Sequence, residues 1–477
     1  MKTWRVLLFS LLALAIIGSI GAAIRMRMNL LFGVPIALAL GLQVVYNYKP
    51  VFFFLIFCIP FSMQINLTES FAMDVFTEPL MLVFLAIFLL NLFSGKQFSR
   101  NRKIYPFHIL IFLILFWTMF TTLNSEFIGR SFKFFLAKLW YLATFVYMAD
   151  RIIQTPKDVK YMFWAFFSSM MLVVIGITIR HALTGFSYGE SNGIAFPLYA
   201  NGVIYSATLV LFLPWVWFAR SWYTPKSLEW YILNIGMGIL LIGIFFSYKR
   251  GAYVTTLMLP VMWLLINRKV LDKLIYAGLI FVVLGVSWLV NNNNFYIFAP
   301  NYQSTVWHGD DFTAHLEATF QGTEISGIER FYRWVAAKNM VADMPFVGSG
   351  PSTFNQVYKR YADDAFRTYV SDNPEQSTTH NYFLMTFAEQ GFPGGLLFAG
   401  LVFLMVLKGI YLAYQVEDPT RKSIVFLALF SLATILIHSL LNEMIEVDKI
   451  GSMFWLCLVV IHKSDIWHER AQKIRIS

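Results

Sequence analysis

Three short clusters of polar residues stand out in an otherwise apolar sequence, and their side chains could bind anions and move protons. The clusters are Ser247–Gly251; Arg330, Arg333 and Trp334 with the following Pro345, Gly348, Gly350 and Phe354; and His380, Asn381 and Tyr382 with the following Glu389, Gly391 and Gly394. Arginine binds phosphate groups through paired hydrogen bonds, and a neutral histidine ring accepts a proton from a hydroxyl near physiological pH. The residue types therefore predict a site that binds a phosphorylated substrate and activates a hydroxyl group.

The first cluster places two cations, Lys249 and Arg250, at the end of an apolar run. Basic residues at such positions often extend to the lipid headgroups, which gives them no catalytic role. This pair is predicted to lie on the outer side of the membrane, where the topology rule disfavours basic residues. The second interpretation is therefore a phosphate clamp, because a guanidinium holds phosphate oxygens with two hydrogen bonds. A bound diphosphate requires several such donors.

Arg330 and Arg333 are three residues apart and share one face of a predicted helix. One interpretation is a solvated face on which the arginines form ion pairs with Glu324 or Glu329. The other is a second phosphate clamp, to which only one of the two arginines needs to contribute. The sequence leaves both interpretations open.

His380 follows a polar loop, and either Thr378 or Thr379 is a candidate N-cap for a helix that starts near it. A single histidine is usually structural. A ring at the start of a helix on the outer membrane surface can, however, take a proton from an attacking hydroxyl, and a helix N-terminus favours nearby anions. The acidic pairs Asp310–Asp311 and Asp363–Asp364 are interpreted as solvated, so we predict no metal site.

The composition places these clusters in a membrane protein. The chain has 477 residues, of which 58% are hydrophobic and 13% charged, whereas soluble domains have about 25% charged residues. The net charge of +10 does not indicate nucleic-acid binding, because most basic residues lie in short segments between apolar runs. Cys58 and Cys457 lie inside apolar runs far apart in sequence, which predicts neither a disulfide nor a thiolate metal site.

Long, continuously apolar runs predict an all-α polytopic membrane protein with about 12–14 transmembrane helices. The candidate spans are 6–24, 30–46, 50–66, 79–93, 107–123, 136–150, 161–180, 200–219, 229–247, 252–266, 272–290, 392–414, 423–441 and 450–462. The first 24 residues are basic and then apolar but have no A-x-A-like cleavage site, so we predict a retained first helix.

Basic residues are more frequent in the segments between spans that lie inside if the N-terminus is cytoplasmic, so both termini are predicted to be cytoplasmic. The resulting organisation is an N-terminal part of the bundle (1–290), a large, partly helical periplasmic loop (291–391), C-terminal spans (392–462) and a cytoplasmic tail (463–477). Within the loop, the pattern predicts a helix over 326–345, a tight turn at Gly348–Pro351 and a short helix over Ser352–Tyr361.

Taken together, the three clusters resemble the motifs of the O-antigen ligase and polymerase superfamily. The family has a Ser-x-Arg-Gly segment at a span end, and Ser247–Gly251 differs from it by one additional residue before Arg250. The remaining family motifs are matched, in order, by Arg330, Trp334, Pro345, Gly348, Gly350 and Phe354, and then by His380, Asn381, Glu389, Gly391 and Gly394. The resemblance covers roughly residues 200–440.

The resemblance implies a GT-C-type glycosyltransferase of the bacterial inner membrane. Such enzymes move a glycan from undecaprenyl diphosphate to an acceptor hydroxyl with inversion, without a metal or other cofactor. By the same resemblance, Arg250 and Arg330 would bind the diphosphate and His380 would engage the acceptor. Lys249 and Arg333 are further candidates for diphosphate binding.

The identity of the acceptor separates two related functions. A ligase uses lipid A–core as the acceptor, which is the function we favour, whereas a polymerase uses another lipid-linked repeat unit. An alternative of a different class is a transporter or flippase of lipid-linked glycans. Transporters typically contain repeated halves and helices broken at mid-membrane, and the sequence shows neither pattern.

Overall fold

The computed structural model describes residues 47–68, 71–93, 105–299, 325–368, 371 and 378–476, and the single positions 18 and 43. Within these residues the protein is all-α apart from one hairpin, which confirms the predicted fold class. The hairpin pairs β1 (Met63–Thr68) with β2 (Phe71–Val75) in antiparallel fashion. The predicted spans 6–24 and 30–46 lie outside the described residues.

The described part of the chain is mainly helical. In chain order the helices are α1 (Tyr48–Cys58), α2 (Thr77–Phe93), α3 (Pro106–Leu123), α4 (Ile128–Ile152, with a π-helical stretch at Ala143–Met148), α5 (Pro156–Leu183), α6 (Gly202–Ala219), α7 (Leu228–Phe245), α8 (Arg250–Asn267), α9 (Leu271–Val290), α10 (Ile325–Asp343), α11 (Phe354–Val357), α12 (Tyr382–Gln415), α13 (Pro419–Ser439) and α14 (Asp448–Ile476).

Nine helices in the described part of the chain are long and apolar enough to cross a membrane: α3, α4, α5, α6, α7, α9, α12, α13 and α14. Each coincides with a predicted span. The predicted spans 50–66 and 79–93 fall on α1 and α2, which are shorter apolar helices. The first of these predictions is wrong at its end, because a 3₁₀ turn follows Cys58 and strand β1 begins at Met63.

The centre of the bundle consists of α6, α13 and α14, whose most apolar segments are largely buried. A helix that is apolar on all sides is stable either in a protein core or in lipid, and α6 and α13 pack directly against each other. Helix α9 has no buried residue and therefore lies at the edge of the bundle. Cys58 and Cys457 are both buried free thiols, as predicted.

A second, smaller core stabilises the extramembrane region. It joins α10 and α11 to the segments around Phe295 and Phe366 and to the first turns of α12. The predicted helix over 326–345 corresponds to α10. The predicted short helix is α11 followed by the 3₁₀ turn Tyr358–Tyr361. This core positions the polar residues of α10 over the start of α12. We call the end of the bundle at which α12 starts the site end.

Candidate active site

His380 lies immediately before α12 rather than on it. The N-cap is Asn381, whose side-chain oxygen accepts a hydrogen bond from the Leu384 amide at 3.0 Å. The predicted N-cap at Thr378 or Thr379 and the predicted helix start near His380 are therefore wrong by two or three residues. Asn is as good an N-cap as Thr, and here it is the Asn381 side chain that bonds the free Leu384 amide. His380 itself has left-handed backbone geometry, with φ +53°.

A carboxylate from a distant part of the sequence faces His380. Glu443 follows α13, and its Oε2 atom lies 4.0 Å from His380 Nδ1. The other carboxylate oxygen, Oε1, accepts hydrogen bonds from Thr379 Oγ1 at 2.9 Å and from the Asn381 amide at 3.1 Å. The carboxylate is therefore held by the residue before the histidine and by the residue after it. Glu443 was not predicted; its only signal was a carboxylate in the short connection between two late spans.

The charges around His380 include those of the arginines from the second cluster. Burial lowers the pKa of His380 below its ordinary value, and the charges of Arg333 and Arg330 lower it further. The Glu443 carboxylate and a hydrogen bond with the Asn442 side chain act in the opposite direction. The net shift is downward, so the ring is neutral over a wider pH range than an ordinary histidine. Arg330 and Arg333 of the second cluster are therefore close enough to His380 of the third cluster for their charges to act on its ring.

The two arginines of α10 have different surroundings. Arg333 forms an ion pair with Glu329 at 3.3 Å, one helical turn earlier, and its side chain is mostly buried. Glu329 in turn accepts hydrogen bonds from Thr368 and Ser371. The predicted ion pair with Glu329 is therefore present for Arg333, but the predicted solvated face is wrong here, since both side chains are mostly buried. Arg330, on the same helix, contributes positive charge at His380.

Trp334 provides a direct link between α10 and the histidine segment. Its indole Nε1 donates a hydrogen bond to the Thr379 carbonyl oxygen at 2.9 Å. The bond joins residues that are 45 positions apart, and it fixes the backbone immediately before His380. The motif tryptophan therefore positions the site rather than taking part in its chemistry.

Arg250 is the first residue of α8, and Lys249 is its N-cap. The next residue, Gly251, lies against the ring of His438 in the last turn of α13: a Cβ atom there would be 3.6 Å from His438 Cε1. Since Glu443 follows α13 directly, Arg250 starts its helix at the site end of the bundle. The Lys249 side chain instead runs past Gly202 at the start of α6, where a Cβ atom would be 2.9 Å from Lys249 Cε.

The environment of Lys249 differs from that of a residue extending into the headgroups. Burial lowers the pKa of its ammonium group, and the adjacent Arg250 charge lowers it further. The lysine and the arginine therefore form a pair of closely spaced cations. An anion bound between them would relieve their repulsion.

The loop that contains Gly348 and Gly350 packs closely against α12, and we call this contact the loop seat. Gly348 and Gly350 have φ values of +67° and +102°. The Ser349 and Gly350 amides donate hydrogen bonds to the carbonyl oxygens of Ala388 and Glu389 at 3.2 and 2.8 Å. The predicted tight turn is confirmed, and its glycines are required because the space for a side chain is filled by α12 backbone atoms at Gly348 and by the Ser125 side chain at Gly350.

Glu389 fixes the same turn from the other side. Its buried carboxylate accepts hydrogen bonds from the amides of Ser352 at 2.8 Å and Phe354 at 2.9 Å. Gly391 follows with φ +65°, and the next residue, Phe392, donates its amide proton to the Pro345 carbonyl. These motif residues therefore hold the loop on α12 and place α10 above His380.

The connection after α13 is anchored by a second buried ion pair. Lys138 of α4 lies 2.6 Å from Glu446 Oε1 and 3.3 Å from the Tyr382 hydroxyl, which also donates to Glu446. Lys138 is almost fully buried. The pair joins α4, the first residue of α12 and the segment that holds Glu443. It therefore limits how far Glu443 can move away from His380.

The described chain is thus a polytopic helical membrane protein with a neutral histidine, a fixed carboxylate and several arginines at one end of its bundle. Such a set can deprotonate a hydroxyl beside a bound anion. Residues 235–399 match the model of the protein family described as O-antigen ligase. This match includes Arg250, Arg330 and His380 and supports the resemblance of the chain to the O-antigen ligase superfamily. A comparison with curated proteins found no match.

Proposed function

We propose that this protein is an O-antigen ligase-type glycosyltransferase that moves a glycan from undecaprenyl diphosphate to a hydroxyl of lipid A–core. The observation that supports the proposal most directly is the pairing of His380 with Glu443 within the field of Arg330 and Arg333. A base and cations in one place suit a reaction in which a hydroxyl loses a proton and an anion leaves. The match of residues 235–399 to the O-antigen ligase family model supports ligase- or polymerase-type function in general.

In the proposed mechanism, neutral His380 accepts the proton of the acceptor hydroxyl as its oxygen attacks the anomeric carbon of the donor glycan. The bond between that carbon and the diphosphate oxygen breaks, so the configuration inverts in a single displacement. Glu443 stabilises the imidazolium that forms, since its carboxylate lies 4.0 Å from Nδ1. This division of roles follows the general logic of a base oriented by a carboxylate.

The leaving diphosphate requires positive charge at the moment the bond breaks. Arg250 and Arg330 are proposed to supply it, with Lys249 and Arg333 as additional cations at the site end. Groups that are already oriented towards developing charge stabilise a transition state without further reorganisation. The family resemblance implies that no metal is needed for this step. The polyprenyl tail would remain in the lipid beside the bundle.

The excess of basic residues in alternate connections supports an orientation with both termini in the cytoplasm. In that orientation α12 begins on the periplasmic side, and so do the connection after α13 and the start of α8. The donor headgroup and the acceptor sugar would then meet His380 at the outer membrane surface. Membrane lipids surround the apolar helices, and no nucleic acid takes part.

The test of this proposal is a transfer assay with the purified full-length protein in liposomes. The donor is a synthetic undecaprenyl-diphosphate glycan, the acceptor is purified lipid A–core, and the product is detected by gel mobility and mass spectrometry. We expect transfer by the wild type and near-complete loss in the Arg250→Ala and Arg330→Ala variants. Arg360→Ala is the matched control, because this exposed arginine pairs with Glu126 on the surface.

The same assay separates the alternatives. Elongation of one lipid-linked repeat by another, without transfer to lipid A–core, would identify a polymerase. Movement of the donor between leaflets without any new glycosidic bond would identify a transporter and overturn the proposal. In cells, deletion of the gene is expected to remove O-antigen while leaving core intact; lipopolysaccharide capped with single repeats would favour the polymerase.

The charges around His380 predict opposite pH shifts in two variants. If His380 is the base, activity falls as pH drops through its pKa, and this limb lies below the pH expected for an ordinary histidine. Glu443 raises that pKa, so Glu443→Gln should move the limb to lower pH; Arg333 lowers it, so Arg333→Met should move the limb to higher pH. The measurement is the pH profile of transfer under saturating donor and acceptor.

A surface carboxylate provides the control for this pH experiment. Glu126→Gln removes an exposed acid that pairs with Arg360, and we expect its profile to coincide with that of the wild type. Loss of rate in the Glu443 and Arg333 variants without any displacement of the limb would indicate a structural role only. Displacements in the same direction for both would contradict the assignment of His380 as the titrating base.

A further inference from the structure

A second polar cluster lies at the end of the bundle opposite the site. His108 is near the start of α3, Asp150 near the end of α4, and His462 on α14. One ligand atom from each residue lies within 4.8 Å of the others. Helix α14 rises about 20 Å between Asp448, at the site end, and His462. The cluster is therefore separate from the proposed transfer site.

His462 is the residue that distinguishes this cluster from an ordinary ion pair. It is only 3% exposed, and its Nε2 atom has no hydrogen-bond partner among the residues that the structure describes. That atom lies 3.8 Å from Asp150 Oδ1. A buried polar nitrogen without a partner costs free energy, and here it faces a carboxylate oxygen and a second imidazole.

The orientation of the ring is fixed by aromatic neighbours. Phe107 stacks on His462 with ring centroids 4.9 Å apart and an interplanar angle of 26°. His108 and Tyr105 contact the same ring edge to face, each at 4.8 Å. The imidazole is therefore held in place by packing, as a ligand in a preformed site would be.

We propose that His108, Asp150 and His462 bind a first-row transition-metal dication, for which Zn²⁺ is the probe. Two imidazoles and one carboxylate form a common three-residue ligand set for zinc, with a fourth position left for water. Zinc–ligand bonds of about 2.0–2.2 Å place neighbouring ligand atoms about 3.3–3.5 Å apart in tetrahedral geometry. The separation of 3.8 Å between the His462 and Asp150 atoms is close to this value.

Two lysines oppose a metal at this position and make the proposal more specific. Lys463 Nζ lies 2.8 Å from Asp150 Oδ1, the oxygen that the metal would bind, and Lys408 pairs with Asp465 nearby. The metal must displace the Lys463 ammonium group from the carboxylate. Removing that charge should therefore tighten binding, whereas removing a ligand should weaken it.

The experiment measures Zn²⁺ binding to the purified full-length protein in detergent by competition with a chromophoric chelator. We expect one Zn²⁺ per chain in the wild type and affinity reduced at least about 100-fold in His462→Gln, since even outer-sphere changes cost about 10–100-fold. Lys463→Met should bind Zn²⁺ at least about tenfold more tightly, because an ammonium group a few ångströms away repels the dication. Zn²⁺ should raise the melting temperature of the wild type but not of His462→Gln.

His468→Gln is the matched control, since this residue lies on the same helix six positions further on and contacts Gln472. His108→Gln tests the site independently if His462→Gln does not fold. Absence of Zn²⁺ binding by the wild type, or equal binding by the wild type and both ligand variants, would overturn the proposal. Because the cluster is remote from His380, the variants should retain transfer activity in the presence of a chelator.

Discussion

Replacement of His380 by Ala is expected to abolish glycan transfer while the protein remains folded in the membrane. General-base catalysis contributes about 100-fold to 10,000-fold to the rate of a reaction of this kind, and the Ala variant has no other group at the same place. Glu443 is held behind the histidine ring, because its Oε1 atom is bonded to Thr379 and Asn381, so its carboxylate does not reach the position of the missing imidazole. The measurement is the initial rate of transfer by reconstituted protein, with insertion checked by chromatography and thermal unfolding.

The backbone of His380 requires a second variant in this experiment. With φ +53°, the residue occupies a conformation that Asn adopts more readily than other non-glycine residues. His380→Asn therefore preserves the turn before α12 while removing the base, and it should be as inactive as the Ala variant. His468→Ala, at the far end of α14, is the control. Near-normal transfer by both His380 variants would eliminate the histidine from the mechanism.

The helical bundle could be predicted because its signal is local. A run of apolar residues specifies a membrane span regardless of what it packs against, so helices such as α5 and α12 were located from their own sequences. A local pattern also explains where the prediction of the spans was wrong. The pattern over 50–66 is continuously apolar only as far as Phe61, and α1 ends at Cys58. From Ser62 polar and apolar residues alternate, which is typical of a strand, and the chain turns into a hairpin there.

The site was predicted only in part because its contacts are not local. The arginines and the histidine could be selected by their residue types and their order along the chain. Glu443 could not, since it reaches Thr379 and Asn381 from more than 60 positions away, and nothing near it in sequence indicates a partner. Its neighbour Glu446 is just as acidic but pairs with Lys138 instead. Which carboxylate serves the histidine depends on how α13 and α14 are packed.

The structure also separates motif residues that perform chemistry from those that support it. Glu389 belongs to the third cluster and is a carboxylate near the site, which alone would make it a candidate acid or base. Its two hydrogen bonds to the amides of Ser352 and Phe354 instead make it part of the loop seat. Gly348 and Gly350 serve the same seat, so the spacing of the motif records how the loop packs on α12.

Substitution of Gly348 by Ala should be among the most destabilising changes in the extramembrane region. A Cβ atom at this position would lie 2.4 Å from the Glu389 carbonyl carbon and 2.6 Å from the Gln390 amide nitrogen. Both are backbone atoms, so the turn must move as a whole. Left-handed geometry adds about 1–2 kcal/mol for a residue with a side chain, and overpacking adds about 1–3 kcal/mol. We expect a lower melting temperature and loss of transfer.

Gly185 separates the two contributions. It has φ +65°, nearly the same as Gly348, but a Cβ atom there would meet nothing within 4 Å. Gly185→Ala should therefore show only the conformational cost, with a small drop in melting temperature and normal transfer. If the two variants proved equally stable, steric contact with α12 would not be the reason for glycine at position 348. A Gly348→Ala variant that is stable but inactive would show that the turn positions α10 over His380 without contributing to folding. Displacement of the turn would then move Arg330 and Trp334 together, away from His380.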